Sequence, residues 1–106
     1  LILVCAMGQP PTEVSGQVSF YGSVLPAAWS LMLALRARGL GTTWTSLHTL
    51  LAPEAAELLG IPDDVTQMVL LPIGYMKNAV LRPAKRRAHH EVTYWDEWGA
   101  QRRTST

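Results

Sequence analysis

Ala27-Ala28-Trp29-Ser30-Leu31-Met32-Leu33-Ala34-Leu35-Arg36-Ala37-Arg38 runs directly into Gly39-Leu40-Gly41-Thr42-Thr43-Trp44-Thr45-Ser46, and the change of character at Gly39 decides how the chain is read. The first part consists of good helix formers. Its apolar side chains point in nearly every direction around a helix axis, so the helix is expected to be buried on most of its circumference. Arg36 and Arg38 in the last turn suit the helix dipole, and Gly39 stops the helix as a left-handed cap. Upstream, Ser23 reads as the N-cap and Pro26 falls in the first turn, where its missing N–H costs little. Downstream, the β-branched and aromatic run from Thr42 to Thr45 reads as extended chain. Glycines that follow a helix cannot cradle a dinucleotide, because that fingerprint follows a strand and opens a helix. On residue types alone the Gly-Leu-Gly is a cap and tight turn. It delivers an extended segment whose backbone N–H groups at Thr45 to Leu47 are suited to a polar ring edge.

The rest of the chain supplies packing partners for this unit. Leu1 to Ala6 is a continuous apolar run of the kind expected for a strand covered on both faces. Met7 to Gly22, with Gly8, Pro10, Pro11, Gly16 and Gly22, reads as a long loop. Pro53, Glu54 and Gly60 outline a short helix that Pro62 closes off. Val65 to Tyr75 reads as a second strong strand that Pro72 and Gly74 end or bulge. Met76 to Arg87 reads as loop, Val92 to Trp95 as a last extended piece, and Gly99 to Thr106 as a frayed tail. A chain of 106 residues is one domain at most. The run from Leu1 looks like a strand entered in mid-course, so residues 1–106 are expected to form a single partial domain, the C-terminal part of something longer.

Composition narrows the function classes. Charged residues make up 16% of the chain, well under the roughly 25% usual for soluble domains. A small chain so poor in charge has apolar surface to hide against a partner. The net charge of +1 gives no global field for nucleic acid. Locally, Arg82, Lys85, Arg86 and Arg87 form a basic run that suits a phosphate as well as it suits solvent. Cys5 alone excludes an internal disulfide and fits a reducing compartment such as the cytoplasm. No apolar run approaches the ~20 residues of a membrane span. Cys5, His48, His89 and His90 are metal-ligand types without ligand spacing, so no metal is expected. Trp95 and Trp98 suggest docking on a partner surface.

In their order, several motifs resemble the nitroreductase family of flavoproteins. They are Ala37 to Trp44, Ala56-Glu57-Leu58-Leu59-Gly60-Ile61-Pro62-Asp63-Asp64-Val65, Pro72-Ile73-Gly74-Tyr75, Arg82-Pro83-Ala84-Lys85-Arg86 and Tyr94-Trp95-Asp96-Glu97-Trp98. The resemblance implies an α+β sandwich, mainly antiparallel sheet flanked by helices, of which this chain carries the C-terminal half. It further implies a homodimer with FMN in an interface cleft and the helix Ala27 to Arg38 at that interface. Trp44, Thr45, Ser46 and Leu47 would run along the flavin ring, with N–H groups toward N5 and O4. Two of Lys85, Arg86 and Arg87 would hold the FMN phosphate. The chemistry implied is ping-pong hydride transfer from NADH or NADPH, by way of flavin N5, to nitroaromatic, quinone or other electron-poor acceptors. No acid or base side chain is required, and no catalytic residue is assigned. The family's Arg/Ser-rich opening segment has no counterpart in this sequence, so FMN binding by this stretch alone is expected to be weak. The rival expectations are a non-enzymatic dimerisation module and an anion-binding module.

Overall fold

The computed structural model describes residues 1–102. In chain order it has strand β1 (Ile2–Met7), helices α1 (Val14–Gly22) and α2 (Leu25–Ala37), and strand β2 (Leu40–Thr42). A 3₁₀ turn (Leu47–Leu51), helix α3 (Ala52–Leu59), strands β3 (Val65–Leu71) and β4 (Ile73–Tyr75), and a 3₁₀ turn at His89–Glu91 follow. Both strand pairs are antiparallel, β1 with β3 and β2 with β4. The class is α+β, as expected.

The ladder that Leu70 to Tyr75 makes with the segment Leu40 to Thr45 is interrupted at Pro72, which has no N–H to give. Before the proline, Ile2 faces Leu71 and Met7 faces Val65. After it, Leu40 faces Tyr75 and Thr42 faces Ile73. Thr45 then faces Leu70 in the same register as β2 and β4. The segment from Leu40 to Thr45 is therefore one ladder, interrupted where Thr43 stands opposite Pro72. The proline breaks the sheet and releases Thr43 and Trp44 from it.

Helix α2 ends as the sequence predicts. Gly39 takes a φ of +79°, a left-handed conformation that costs a side-chain-bearing residue about 1–2 kcal/mol. Its start differs. Ser23 closes α1 instead of opening α2: its N–H donates to Ser19 O and its hydroxyl to Phe20 O. The N-cap of α2 is Val24, without a side-chain cap, and Pro26 lies in the first turn.

Helix α1 corrects the loop expected over Met7 to Gly22. Gly16 reads as a breaker, yet it sits where a Cβ would come within 2.7 Å of the Pro11 side chain. Close approach of the Pro10-Pro11 turn is what that glycine permits. Val92 to Trp95 is likewise not a strand, since it follows directly from the turn at His89–Glu91. Within residues 99–102, Ala100 N–H donates to Glu97 O, Gln101 Nε2 to Glu91 O, and Arg102 lies 4.0 Å over the Trp95 ring. The remainder of the expected tail, 103–106, lies outside the described residues.

The core is small. Ala28, Val69 and Leu71 are fully buried together, with Val4, Leu25, Leu31, Met32 and Ile73 packed around them. Helix α2 thus buries one stripe against β3, while Trp29 and Leu33 on its other side are 55% and 56% exposed. This corrects the expectation of burial all round: within one chain nothing covers the second face. Leu47, Leu50, Leu51, Leu58 and Leu59 also stand exposed, and every residue from Lys77 to Arg102 is exposed. The accessible surface is 8809 Å² for a chain of 11.7 kDa, against about 5,900 Å² for a compact monomer of that mass. The radius of gyration is 18.7 Å, where a compact domain of this length has about 13 Å. Such a shape has surface left to bury.

One consequence of that apolarity departs from the sequence reading. Val14–Ala37, taken as one helical stretch of 24 residues containing an 18-residue window of mean hydropathy 1.5, is long and apolar enough to cross a bilayer on those two criteria, with 6% of that window buried. The stretch is divided by the turn at Ser23 and Val24, where Val24 N–H donates to Tyr21 O.

Candidate functional site

The interrupted ladder positions the site. Thr45 N–H donates to Leu70 O at 3.2 Å, Leu70 N–H returns a bond to Thr45 O at 2.8 Å, and the Thr45 hydroxyl adds a third to Leu70 O at 2.7 Å. Thr45 is therefore an anchor. Its N–H is spent on the sheet, which corrects the expectation of a free donor there. Past this anchor the chain enters the 3₁₀ turn at Leu47, closed by Thr49 N–H and hydroxyl on Ser46 O. Among the described residues, the N–H groups of Ser46 and Leu47 have no backbone acceptor, as expected of the first donors of a helical turn. Leu47 itself is 80% exposed.

A cavity of about 370 Å³ lies beside this segment, lined by Trp44, Ser46 and Thr49, by Tyr21 and Leu25 from the helices, and by Gln67, Met68 and Val69 of β3. A regular strand would turn alternate residues away from such a cavity. Here β3 carries a bulge: Val4 faces Val69 and Cys5 faces Gln67, leaving Met68 unpaired. Bulges re-aim side chains, and this one lets three consecutive residues border the same space.

One of the unpaired polar groups among the described residues lies at this cavity, and the others flank the segment in sequence. Among the described residues, the buried side-chain polar atoms without a partner are Thr42 Oγ1, both ring nitrogens of His48, and Gln67 Oε1. Thr42 and His48 bracket the segment, and Gln67 stands on the strand behind it. Buried polar groups are normally paired, so each of these is an exception to the usual pairing. Two of these residues escaped sequence reasoning entirely. Gln67 had a signal, being an amide inside an otherwise apolar strand; Thr42 had none. His48 was considered only as a metal-ligand type. Among the described residues no group of three or more His, Cys, Asp or Glu side chains is placed to share a metal.

Lys85, Arg86 and Arg87 lie elsewhere. All three are exposed on the arm that follows Met76, Arg86 Nη1 donates only to Lys85 O, and none of the three lines the cavity at Trp44 and Ser46. The structure brings Trp44, Ser46 and Gln67 together and leaves the basic run on an uncovered arm. A larger groove of about 720 Å³ runs between α2 and the β2–β4 pair, with Trp29, Leu33, Leu40, Ile73, Tyr75 and Leu81 on its walls. Its lining is mostly apolar and it is open along its length, so it is shaped for another protein surface. Cys5 is partly buried, and burial pushes its thiol above the ordinary value. The thiol is therefore protonated at neutral pH and is no nucleophile.

The nitroreductase family profile matches residues 1–75 of this chain. That span is more than half of the 106 residues and takes in every element from β1 to β4. The chain belongs to the nitroreductase family, which places it among flavin-dependent oxidoreductases. The basic run at Arg82 to Arg87 lies beyond the matched residues.

Proposed function

Starting from that membership, we propose that this chain is part of an FMN-dependent NAD(P)H oxidoreductase that works as a homodimer on nitroaromatic, quinone or similar electron-poor acceptors. The observation that carries the reading is the pair of backbone donors at Ser46 and Leu47 left without an acceptor where the interrupted ladder meets a cavity. Ser46 and Leu47 offer two consecutive backbone donors, Trp44 offers an aromatic wall, and Gln67 contributes a polar side chain to the lining. A flavin ring edge, with acceptors at N5 and O4, is complementary to those donors.

When bound, FMN supplies the hydride chemistry, passing reducing equivalents from the nicotinamide to the acceptor. The chain's own residues bind and orient. The Thr45–Leu70 pair fixes the segment to the core, so that the donors at Ser46 and Leu47 are preorganised and need not be ordered during the reaction. Trp44 shields one side of the cavity from water. Lys85, Arg86 and Arg87 offer charge-assisted donors for the FMN phosphate, two of them sufficing for its oxygens.

The excess surface of the protomer is to be covered by a second copy and by further chain of the same domain, with residues 1–106 forming its C-terminal part. An apolar helix face and an open apolar groove side by side are what an obligate interface leaves behind when its two halves are separated. On this reading the hydropathy of Val14–Ala37 serves protein contact and no membrane.

The test is direct. The purified full-length polypeptide should show flavin absorption in the near-ultraviolet and blue and oxidise NAD(P)H faster than free FMN when a quinone is present. Lys85→Ala and Arg87→Ala should each weaken FMN retention by about ten- to a hundred-fold, the worth of a charge-assisted hydrogen bond. A dimer that is colourless and takes up no added FMN would leave the non-enzymatic dimerisation module as the correct reading.

A further inference from the structure

We propose that Gln67 is a positioning residue: its amide clasps the 3₁₀ turn Leu47–Leu51 to β3 at Ala52, and so holds the backbone donors of Ser46 and Leu47 in place. What those donors serve rests on the flavin reading above; the clasp itself is a feature of the chain alone.

The turn is fastened to one strand at both ends. The Thr45–Leu70 pair holds it before Ser46, and Gln67 Nε2 holds it after Leu51 by donating to Ala52 O at 2.8 Å. Apolar packing does little to fix it, because Leu47, Leu50 and Leu51 all stand exposed. His48 has buried ring nitrogens but no hydrogen-bond partner at either, so it adds no directed tie. The Thr49 N–H and hydroxyl both donate to Ser46 O, which shapes the turn without attaching it to the sheet. The two ties to β3 therefore set its position, and Gln67 makes the later one.

Fold stability does not account for an amide at this place. Gln67 Oε1 is buried without a donor, and an unpaired buried acceptor costs at least as much as one hydrogen bond returns. A leucine or methionine would strand no oxygen, but neither has an N–H to give to Ala52. What the amide adds is a fixed separation between β3 and the end of the turn. With Leu70 of the same strand holding Thr45, residues 46–51 span two fixed points, which is the support that a pair of preorganised donors requires.

Amide hydrogen exchange and FMN titration on the full-length polypeptide and two variants test the clasp. In Gln67→Met apoprotein the Thr49 N–H, which closes the turn, should lose protection by about two- to ten-fold, the worth of one hydrogen bond. The amides of the β1–β3 ladder should keep theirs. FMN affinity should fall as well, by no more than that factor, since the donors bind only while the turn is in place. Gln67→Glu supplies the rescue: its carboxylate repels Ala52 O, whereas its protonated form donates to it. Protection of Thr49 in that variant should be low at neutral pH and return to the wild-type value in acid. Equal loss of protection in the turn and in the ladder would show a general destabilisation and overturns the proposal. So does a Thr49 amide that neither variant moves, and so does a loosened turn that binds FMN as tightly as the wild type. If Gln67→Met does not fold, the acid recovery of Gln67→Glu decides alone. A wild type that takes up no FMN refutes the flavin reading, and exchange at Thr49 still decides whether the clasp exists.

Discussion

Replacing Leu33 with Asp should separate the two roles of helix α2. Leu33 lies one turn from Trp29, and both stand on the side of the helix away from Val69 and Leu71. Full burial of a leucine is worth about 1.5–3 kcal/mol. With 56% of Leu33 still exposed in the protomer, a little over half of that, about 0.8–1.7 kcal/mol, is left to be gained on association. In a two-fold dimer the same residue counts on both chains. Leu33→Asp therefore removes about 1.7–3.4 kcal/mol from association, roughly a twenty- to three-hundred-fold rise in the dimer Kd. Stranding two carboxylates in an apolar interface adds to this figure. Within the protomer the position is a surface one, and the local fold should change by no more than about 0.5 kcal/mol. Sedimentation velocity over a concentration series measures the first effect, and far-ultraviolet circular dichroism of the dissociated protein the second. A variant that sediments as the wild type does would refute the assignment of this face to the interface. Loss of helix in step with loss of association would show that the face belongs to the protomer's own core.

Three further outcomes follow from local geometry. Gly39→Ala should cost about 1–2 kcal/mol through its left-handed backbone alone, because a Cβ at that position would meet nothing within 4 Å; a neutral result in denaturant melts would contradict the φ of +79°. Thr45→Val should cost only about 0.5–1.5 kcal/mol, since Leu70 O keeps the Thr45 N–H when the hydroxyl is gone. An unchanged m-value with a lowered midpoint is the expected signature, and a loss above about 3 kcal/mol would mean the hydroxyl does more than double one bond. Burial raises the Cys5 thiol above its ordinary value, so its alkylation should rise with pH through a midpoint above that of the unfolded chain. Because the folded chain holds this proton more tightly, the linked stability is intact below the unfolded value and is lost as pH climbs past the folded one. An alkylation midpoint at or below that of the unfolded chain would refute the burial argument.

What the sequence revealed, and what it hid, divides along a physical line. Features set by backbone chemistry at one residue were legible: the stop at Gly39, the left-handed cap at Gly60 after α3, and the break at Pro72. Each follows from what glycine or proline can do regardless of neighbours. Features set by contact between distant segments were not. Helix α1 is poor in helix propensity, and its Gly16 makes sense only once Pro11 is seen against it. The fate of the Thr45 N–H depends on Leu70, twenty-five positions away. The bulge that delivers Gln67 arises from the pairing of β3 with β1. The apolar circumference of α2 was read correctly as residues and wrongly as burial, because the sequence does not say which chain covers each face.

Pro72 joins the two halves of this reasoning. One missing N–H interrupts the ladder that follows β3, and the same absence frees Thr43 and Trp44 from it between two fixed points, Thr42 and Thr45. A segment held at both ends and released in the middle keeps its position while its polar groups remain available. That combination suits a ring-binding site, which needs donors that do not move and that the fold has not already used. The stability of the site is borrowed from Val69 and Leu71, the neighbours of Leu70, which lie in the only cluster of fully buried side chains found among the described residues. Any substitution that loosens that cluster should therefore reach the segment from Thr43 to Leu47 through Leu70.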